Sequence, residues 1–139
     1  MLKTTRNLLR KEKGVTLVEL LAVIIILGII ALIAVPAIAG VIDESKYNSL
    51  KASAINAIEA AELYRVTNDD LPEGISELEG YYDSKGVTWS TGPTFTEGSN
   101  GTILLSGTVT VDSKEIKLTN ASVSDIDTAD ISDDDSTID

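Results

Sequence analysis

The chain has 139 residues, room for one ordinary domain, and carries 11 basic against 22 acidic side chains, a net charge of −11. It contains no Cys and no His, which excludes disulfides, thiol chemistry and the usual zinc and copper ligands. So acidic a body repels phosphate backbones, and no direct nucleic-acid ligand is expected.

Residues 1–14, MLKTTRNLLRKEKG, form a basic leader in which Lys3, Arg6, Arg10, Lys11 and Lys13 oppose Glu12 alone. The other 125 residues hold 6 basic and 21 acidic side chains. A basic flank before an apolar run predicts a cytoplasmic N-terminus and export of the chain beyond the run. Residues 15–42 are that run, with 23 consecutive uncharged residues from 20 to 42. As a helix they cover roughly 35 Å, enough for a hydrocarbon core of ~30 Å. A buried helix of a soluble protein does not fit, because so small a chain could not cover it on every side. Gly28, Pro36 and Gly40 weaken the helix without forbidding it in a membrane. One carboxylate, Glu19, sits near the start of the run. A charge there costs roughly 2.5–3.5 kcal/mol at the centre of a membrane helix, so its retention asks for a use.

Residues 43–66 keep the helical period in amphipathic form. Leu50, Ala54, Ala57, Ile58, Ala61 and Tyr64 fall on one face, with Tyr47 close by and Glu44, Lys51, Glu59 and Glu62 off it. With only Gly40 between this stretch and the apolar run, one helix from about residue 15 to about 66 is predicted, and the stripe is read as core. The cluster TNDDLPEG at residues 67–74 ends it.

The head occupies residues 67–123. Residues 76–82 suggest a short helical turn, and strands are predicted over 87–89, 102–111 and 114–118. A tight turn around Ser113 and Lys114 would put Val109, Val111, Ile116 and Leu118 on one face, with the helix stripe as its cover. The fold class is therefore α+β, a long N-terminal helix packed against a small antiparallel sheet. Residues 124–139 form an acidic C-terminal tail with seven aspartates from residue 125 on, either solvated or a weak final strand through Ile126 and Ile131.

The stretch KGVTLVELLAVIIILGIIALIAVP, residues 13–36, resembles the class III signal of type IV prepilins and their relatives, the type II secretion and competence pseudopilins. The resemblance implies cleavage by a membrane-bound prepilin peptidase between Gly14 and Val15, and methylation of the new amino group of Val15. It makes Glu19 the acidic fifth residue of the mature chain, an assembly residue. The amine at Val15 and the carboxylate of Glu19 lie about one helical turn apart, each costly alone in an apolar phase and able to neutralise the other within or between subunits. Gly28 and Pro36 match the residues bounding the segment that opens in assembled pilus filaments. The implied partners are other copies in a helical filament, the peptidase, the pilus assembly platform with its ATPase, and the membrane before assembly. The implied location is a single-pass cytoplasmic-membrane precursor, which a chain beginning at Met1 would represent, and then an extracellular pilus. Adhesion, surface motility, biofilm formation or DNA uptake are the family's roles. The sequence departs from many members in having Val at the first mature position and a longer leader. It also lacks a disulfide-closed C-terminal loop, which fits pilins of Gram-positive bacteria and counts against the disulfide-bearing competence pseudopilins.

The resemblance leaves a minor pilin or pseudopilin as the alternative to a major pilin. An ordinary signal peptide cut after Ala39, at Ala37-Ile38-Ala39, would release an acidic binding domain. Against it, the apolar run exceeds the usual ~7–15 residues and the helical pattern continues past the site. No catalytic residue, cofactor or metal is expected. Asp125, Asp127 and Asp130 offer oxygens, yet lack the spacing, glycine and terminal Glu of an EF-hand loop. Asn100 and Asn120 each begin an Asn-x-Ser/Thr sequon, a pattern frequent by chance.

Overall fold

The computed structural model describes residues 2–84, 86–132 and 135–139, with side chains from residue 16 onward. Its elements are α1 (Leu2–Asn68), a 3-10 turn (Ile75–Leu78), β1 (Thr88–Glu97), β2 (Ile103–Val111), β3 (Lys114–Ala121), α2 (Val123–Thr128) and β4 (Thr137–Ile138). The α+β expectation holds: α1 packs against a four-stranded, mostly antiparallel sheet of order β1-β2-β3-β4. The chain divides into two units, Met1–Val41 and Ile42–Asp139.

α1 is helical from Leu2, earlier than the expected start near residue 15. The leader is rich in Leu, Lys and Arg, good helix formers, and one glycine costs only about 1 kcal/mol. The helix also runs unbroken through Gly28 and Pro36. At the other end Asp69 takes a positive φ of 62° and its N–H reaches the Arg65 carbonyl at 2.8 Å, which closes the last turn before Pro72.

In the second unit the predicted stripe is the core. Leu50, Ala54, Ala57, Ile58 and Ala61 are buried against Leu105, Val109, Ile116, Leu118 and Phe95 of the sheet. Alanine at three of these helix positions lets the sheet approach closely, while each fully buried Leu or Ile contributes about 1.5–3 kcal/mol. Ser53 is the buried polar residue of this stripe, and its hydroxyl shares a hydrogen bond with Tyr82. Trp89 Nε1 donates to the same Tyr82 hydroxyl at 3.1 Å.

The β2–β3 hairpin pairs Val109 with Ile116 and Val111 with Lys114, so its two-residue turn is Asp112-Ser113, one position earlier than expected. Asp112 at φ 51° supplies the left-handed conformation such a turn needs. Beyond Leu118 the ladder carries a bulge: Gly107 faces Leu118, yet Leu105 faces Ala121. Asn120, at φ 51°, takes up the extra residue, and its backbone N–H is caught by Ser106 Oγ at 2.8 Å. Leu118 and Ala121 are therefore both buried, although their spacing is odd. β1 is longer than the predicted 87–89 because it passes two irregularities, at Trp89/Thr91 and Thr91/Thr94, around a cis Gly92–Pro93 bond.

The last stretch differs most from the sequence reading. Ile126 lies in α2, and the final strand is Thr137–Ile138, parallel to β3, rather than a strand through Ile126 and Ile131. Ile126 and Ile138 are both buried, and Lys117 N–H donates to the Ser136 carbonyl at 2.8 Å. Two isoleucines and a helix cap hold a segment that composition alone reads as solvated.

Candidate functional site

The residues that the sequence reading singles out lie along one helix instead of around a pocket. Gly14 and Val15, at the expected processing bond, lie outside the residues whose side chains are described. Glu19, Gly28 and Pro36 come next on the apolar part of α1, all exposed. From Glu19 to Pro36 the helix rises about 25 Å, so the structure gathers none of them into a common cavity.

Around them the apolar side chains stand open. Leu17, Val18 and Leu20 beside Glu19 are 68 %, 68 % and 66 % exposed, and Leu32 reaches 79 %. From Leu21 to Ile42 the large apolar side chains stay exposed, between 47 % and 79 %. By length and composition this helix can cross a membrane. A continuous aliphatic surface of this kind marks a surface for lipid or other apolar helices, since soluble monomers rarely expose such a patch to water. Gly28 has open space where a Cβ would stand, so nothing in the isolated chain demands glycine there.

The contrast along α1 is abrupt. Past Ile42 the same helix buries its stripe under the sheet, and charged residues tie it to the β2–β3 hairpin. Lys46 Nζ lies 3.2 Å from Asp112 Oδ2, and Lys114 Nζ lies 3.3 Å from Asp43 Oδ2 and 5.5 Å over the ring of Tyr47. These contacts fix the hairpin tip to the head's first helical turns. The spacing of Asp43 and Lys46 hints at such a role, but their partners, some 70 residues on, are not legible in sequence.

The tail carboxylates are structural in arrangement. Asp125 accepts the Ser122 backbone N–H at 2.9 Å and the Ser122 hydroxyl at 2.6 Å, while Asp125 N–H donates to Ser122 Oγ at 3.3 Å. This capping box opens α2. The Ser122 hydroxyl, then its backbone N–H, hold the Asp125 carboxyl below its usual range. The spacing Ser122-x-x-Asp125 is the signal for it in sequence, hidden by the aspartates around it. Among the described residues no group of three or more His, Cys, Asp or Glu is placed to hold a metal ion.

No curated protein and no solved structure matches this chain. Residues 9–35 match the prokaryotic N-terminal methylation motif. That segment contains Gly14, Val15, Glu19 and Gly28, and ends one residue short of Pro36. A methylation motif and a long apolar N-terminal helix fit a membrane-anchored precursor. The chain thus carries, at residues 9–35, the class III signal sequence of type IV pilins and pseudopilins.

Proposed function

We propose that the chain is a pilin, a structural subunit of a type IV pilus. The observation that carries this reading is the methylation motif on a helix whose apolar surface is uncovered and whose far end bears a folded head. Prepilin peptidase cuts between Gly14 and Val15 on the cytoplasmic side and methylates the Val15 amine. The mature subunit waits in the membrane as a single span, with its head outside. The assembly platform and its ATPase then move it into an extracellular filament of many copies. The filament serves the surface tasks of such pili, among them adhesion, motility, biofilm formation and DNA uptake.

The physics supports each step. The apolar helices leave lipid for one another, so transfer into a filament keeps their surface dry. Glu19 is the assembly residue: its carboxylate and the Val15 amine are both unfavourable in an apolar phase, and pairing offsets both. In a filament that pair, formed between an arriving subunit and its neighbour, sets the axial register. The segment between Gly28 and Pro36 gives the helix a place to open. Nothing in this scheme requires a catalytic residue or a cofactor.

Intact-mass and N-terminal analysis of sheared surface filaments, with electron microscopy of the same material, tests the proposal. The expected result is a filament whose main component begins at methylated Val15. An N-terminus at Gly40 would assign the segment to an ordinary signal peptide, and a processed chain present only in trace amounts would assign it to the minor pilins or pseudopilins.

A further inference from the structure

The unit Ile42–Asp139 carries a groove that the scheme above does not use. It has a volume of about 570 Å³ and lies between α1, the start of β2 and α2. Ile55 and Val123 supply its accessible apolar wall over the buried Ile58 and Ile103, and the exposed Glu62 and Asp127 line it as well. Val123 is 37 % exposed, high for a valine at the start of a packed helix. Among the described residues neither the Glu62 nor the Asp127 carboxylate has an ion-pair or hydrogen-bond partner.

The cations that could have served them are held elsewhere. Lys51 Nζ donates to the backbone carbonyls of Asp127 and Ala129 at 2.9 and 2.8 Å. Arg65, one turn from Glu62, lies 3.5 Å from Glu97 and donates to the Gly101 carbonyl at 3.1 Å. Residues 43–139 hold only 6 basic side chains against 20 acidic ones. Residues 43–139 of a second copy would therefore bring like charge to the groove, its basic leader staying on the cytoplasmic side in the scheme above, and an anionic lipid or acidic polymer would be repelled. What fits is a cation with an aliphatic stem. Lys and Arg lay their methylenes along apolar surface while the charged head meets a carboxylate.

We propose that this groove docks a basic segment of a partner protein, seating a Lys or Arg at Glu62 and Asp127 and flanking aliphatic side chains on Ile55 and Val123. The carboxylates draw the segment in, and the apolar wall fixes its register, so binding is specific beyond bulk charge attraction.

The test uses the full chain in uncharged dodecyl maltoside micelles and a fluorescent probe peptide, acetyl-Leu-Lys-Leu-Lys-Leu-amide, read by anisotropy. Saturable binding is expected, weakened about tenfold by E62Q/D127N and little changed by E44Q/E115Q, which removes two exposed charges elsewhere. Circular dichroism of each variant is expected to match the parent, since none of the four positions is in the core. The proposal is overturned by absence of saturable binding up to about 1 mM probe. Equal weakening in both double variants, or no weakening in either, also overturns it, as does equal binding of the Leu-Glu-Leu-Glu-Leu counterpart. Val123 methyl resonances that move on diluting the chain alone would give the groove to a second copy and overturn it too.

Discussion

Ser122 and Asp125 show how much one pair of side chains decides in the acidic C-terminal stretch. Their reciprocal hydrogen bonds satisfy the first backbone donors of α2, which in turn carries Ile126 into the core. Ser122→Ala is expected to cost about 1 kcal/mol locally, read as faster amide exchange over residues 123–128. The sign of the pH dependence is fixed by the same bonds. Because folding lowers the Asp125 carboxyl, its contribution is complete above the unfolded value of ~3.9 and is lost as pH falls through its own lowered value. Amide exchange of α2 should thus be steady from neutral pH to about 5, after correction for the intrinsic rate, and should rise in acid. Asp125→Asn should abolish that acid-dependent rise. Lys114 is the second such residue, with 12 % of its side chain exposed between Asp43 and the ring of Tyr47. Lys114→Ala is expected to destabilise the head by about 1 kcal/mol, measured as a lower urea midpoint. Glu19 works in the opposite direction. If Glu19 is the assembly residue we propose, Glu19→Val should insert into membrane more favourably yet fail to enter filaments, since only assembly would gain from the charge. Normal piliation by that variant at equal subunit levels would show the carboxylate to be incidental.

At the scale of elements, the tightest fit in the head is where β1 crosses β2. A Cβ on Gly107 would stand 2.7 Å from the Thr91 carbonyl oxygen and 3.2 Å from the Trp89 ring. Across from it Gly92, at φ +79°, would place a Cβ 3.0 Å from the Ser106 carbonyl. Backbone faces backbone here, so Gly107→Ala must move a strand; about 1–3 kcal/mol of destabilisation is expected by thermal unfolding. The same region marks the limit of what periodicity reveals. Periodicity finds the α1 stripe, β2 and the first half of β3, because their apolar residues alternate or recur without interruption. It stops at Leu118, where Asn120 inserts a residue and shifts Ala121 into phase, and at Trp89, where the Gly92–Pro93 irregularity breaks the pattern. Bulges are tertiary solutions and leave no period to read. β4 is invisible in sequence for another reason: two residues, Thr137 and Ile138, are strand only because β3 offers them an edge. The methylation motif is legible in sequence, since it is local and needs no fold to be recognised, and it spans Gly14, Val15, Glu19 and Gly28, whose individual roles are part of the proposal. The ion pairs of Lys46 and Lys114 are not, because their partners are far along the chain.

The whole molecule joins two units with opposite needs, a head that closes its own core and an apolar helix that does not. The second need predicts a change on assembly. In lipid, residues 28–36 must stay helical, because hydrocarbon offers backbone groups no other partner, and α1 is indeed continuous through them in the isolated chain. In the filament we propose, neighbouring helices would replace lipid, and head packing and the Glu19 contact would jointly set the axial position of each subunit. A straight helix cannot satisfy two fixed points whose spacing differs from its own length. Residues 28–36 are where it yields at least cost. Gly28 makes helix about 1 kcal/mol less favourable than Ala would, and Pro36 has no N–H to give the Leu32 carbonyl. Ile29, Ile30, Ile33 and Val35 between them are β-branched and tolerate extended backbone. Each residue that opens lengthens the chain from ~1.5 towards ~3.3 Å, so three or four supply about 6 Å of adjustment. A filament reconstruction should therefore show non-helical density between Gly28 and Pro36, with helix resuming before Lys46. Gly28→Ala with Pro36→Ala should keep that segment helical and give filaments of altered rise or none at all. Unbroken helix through residues 28–36 in the parent filament would refute the opening and leave Pro36 as a simple kink.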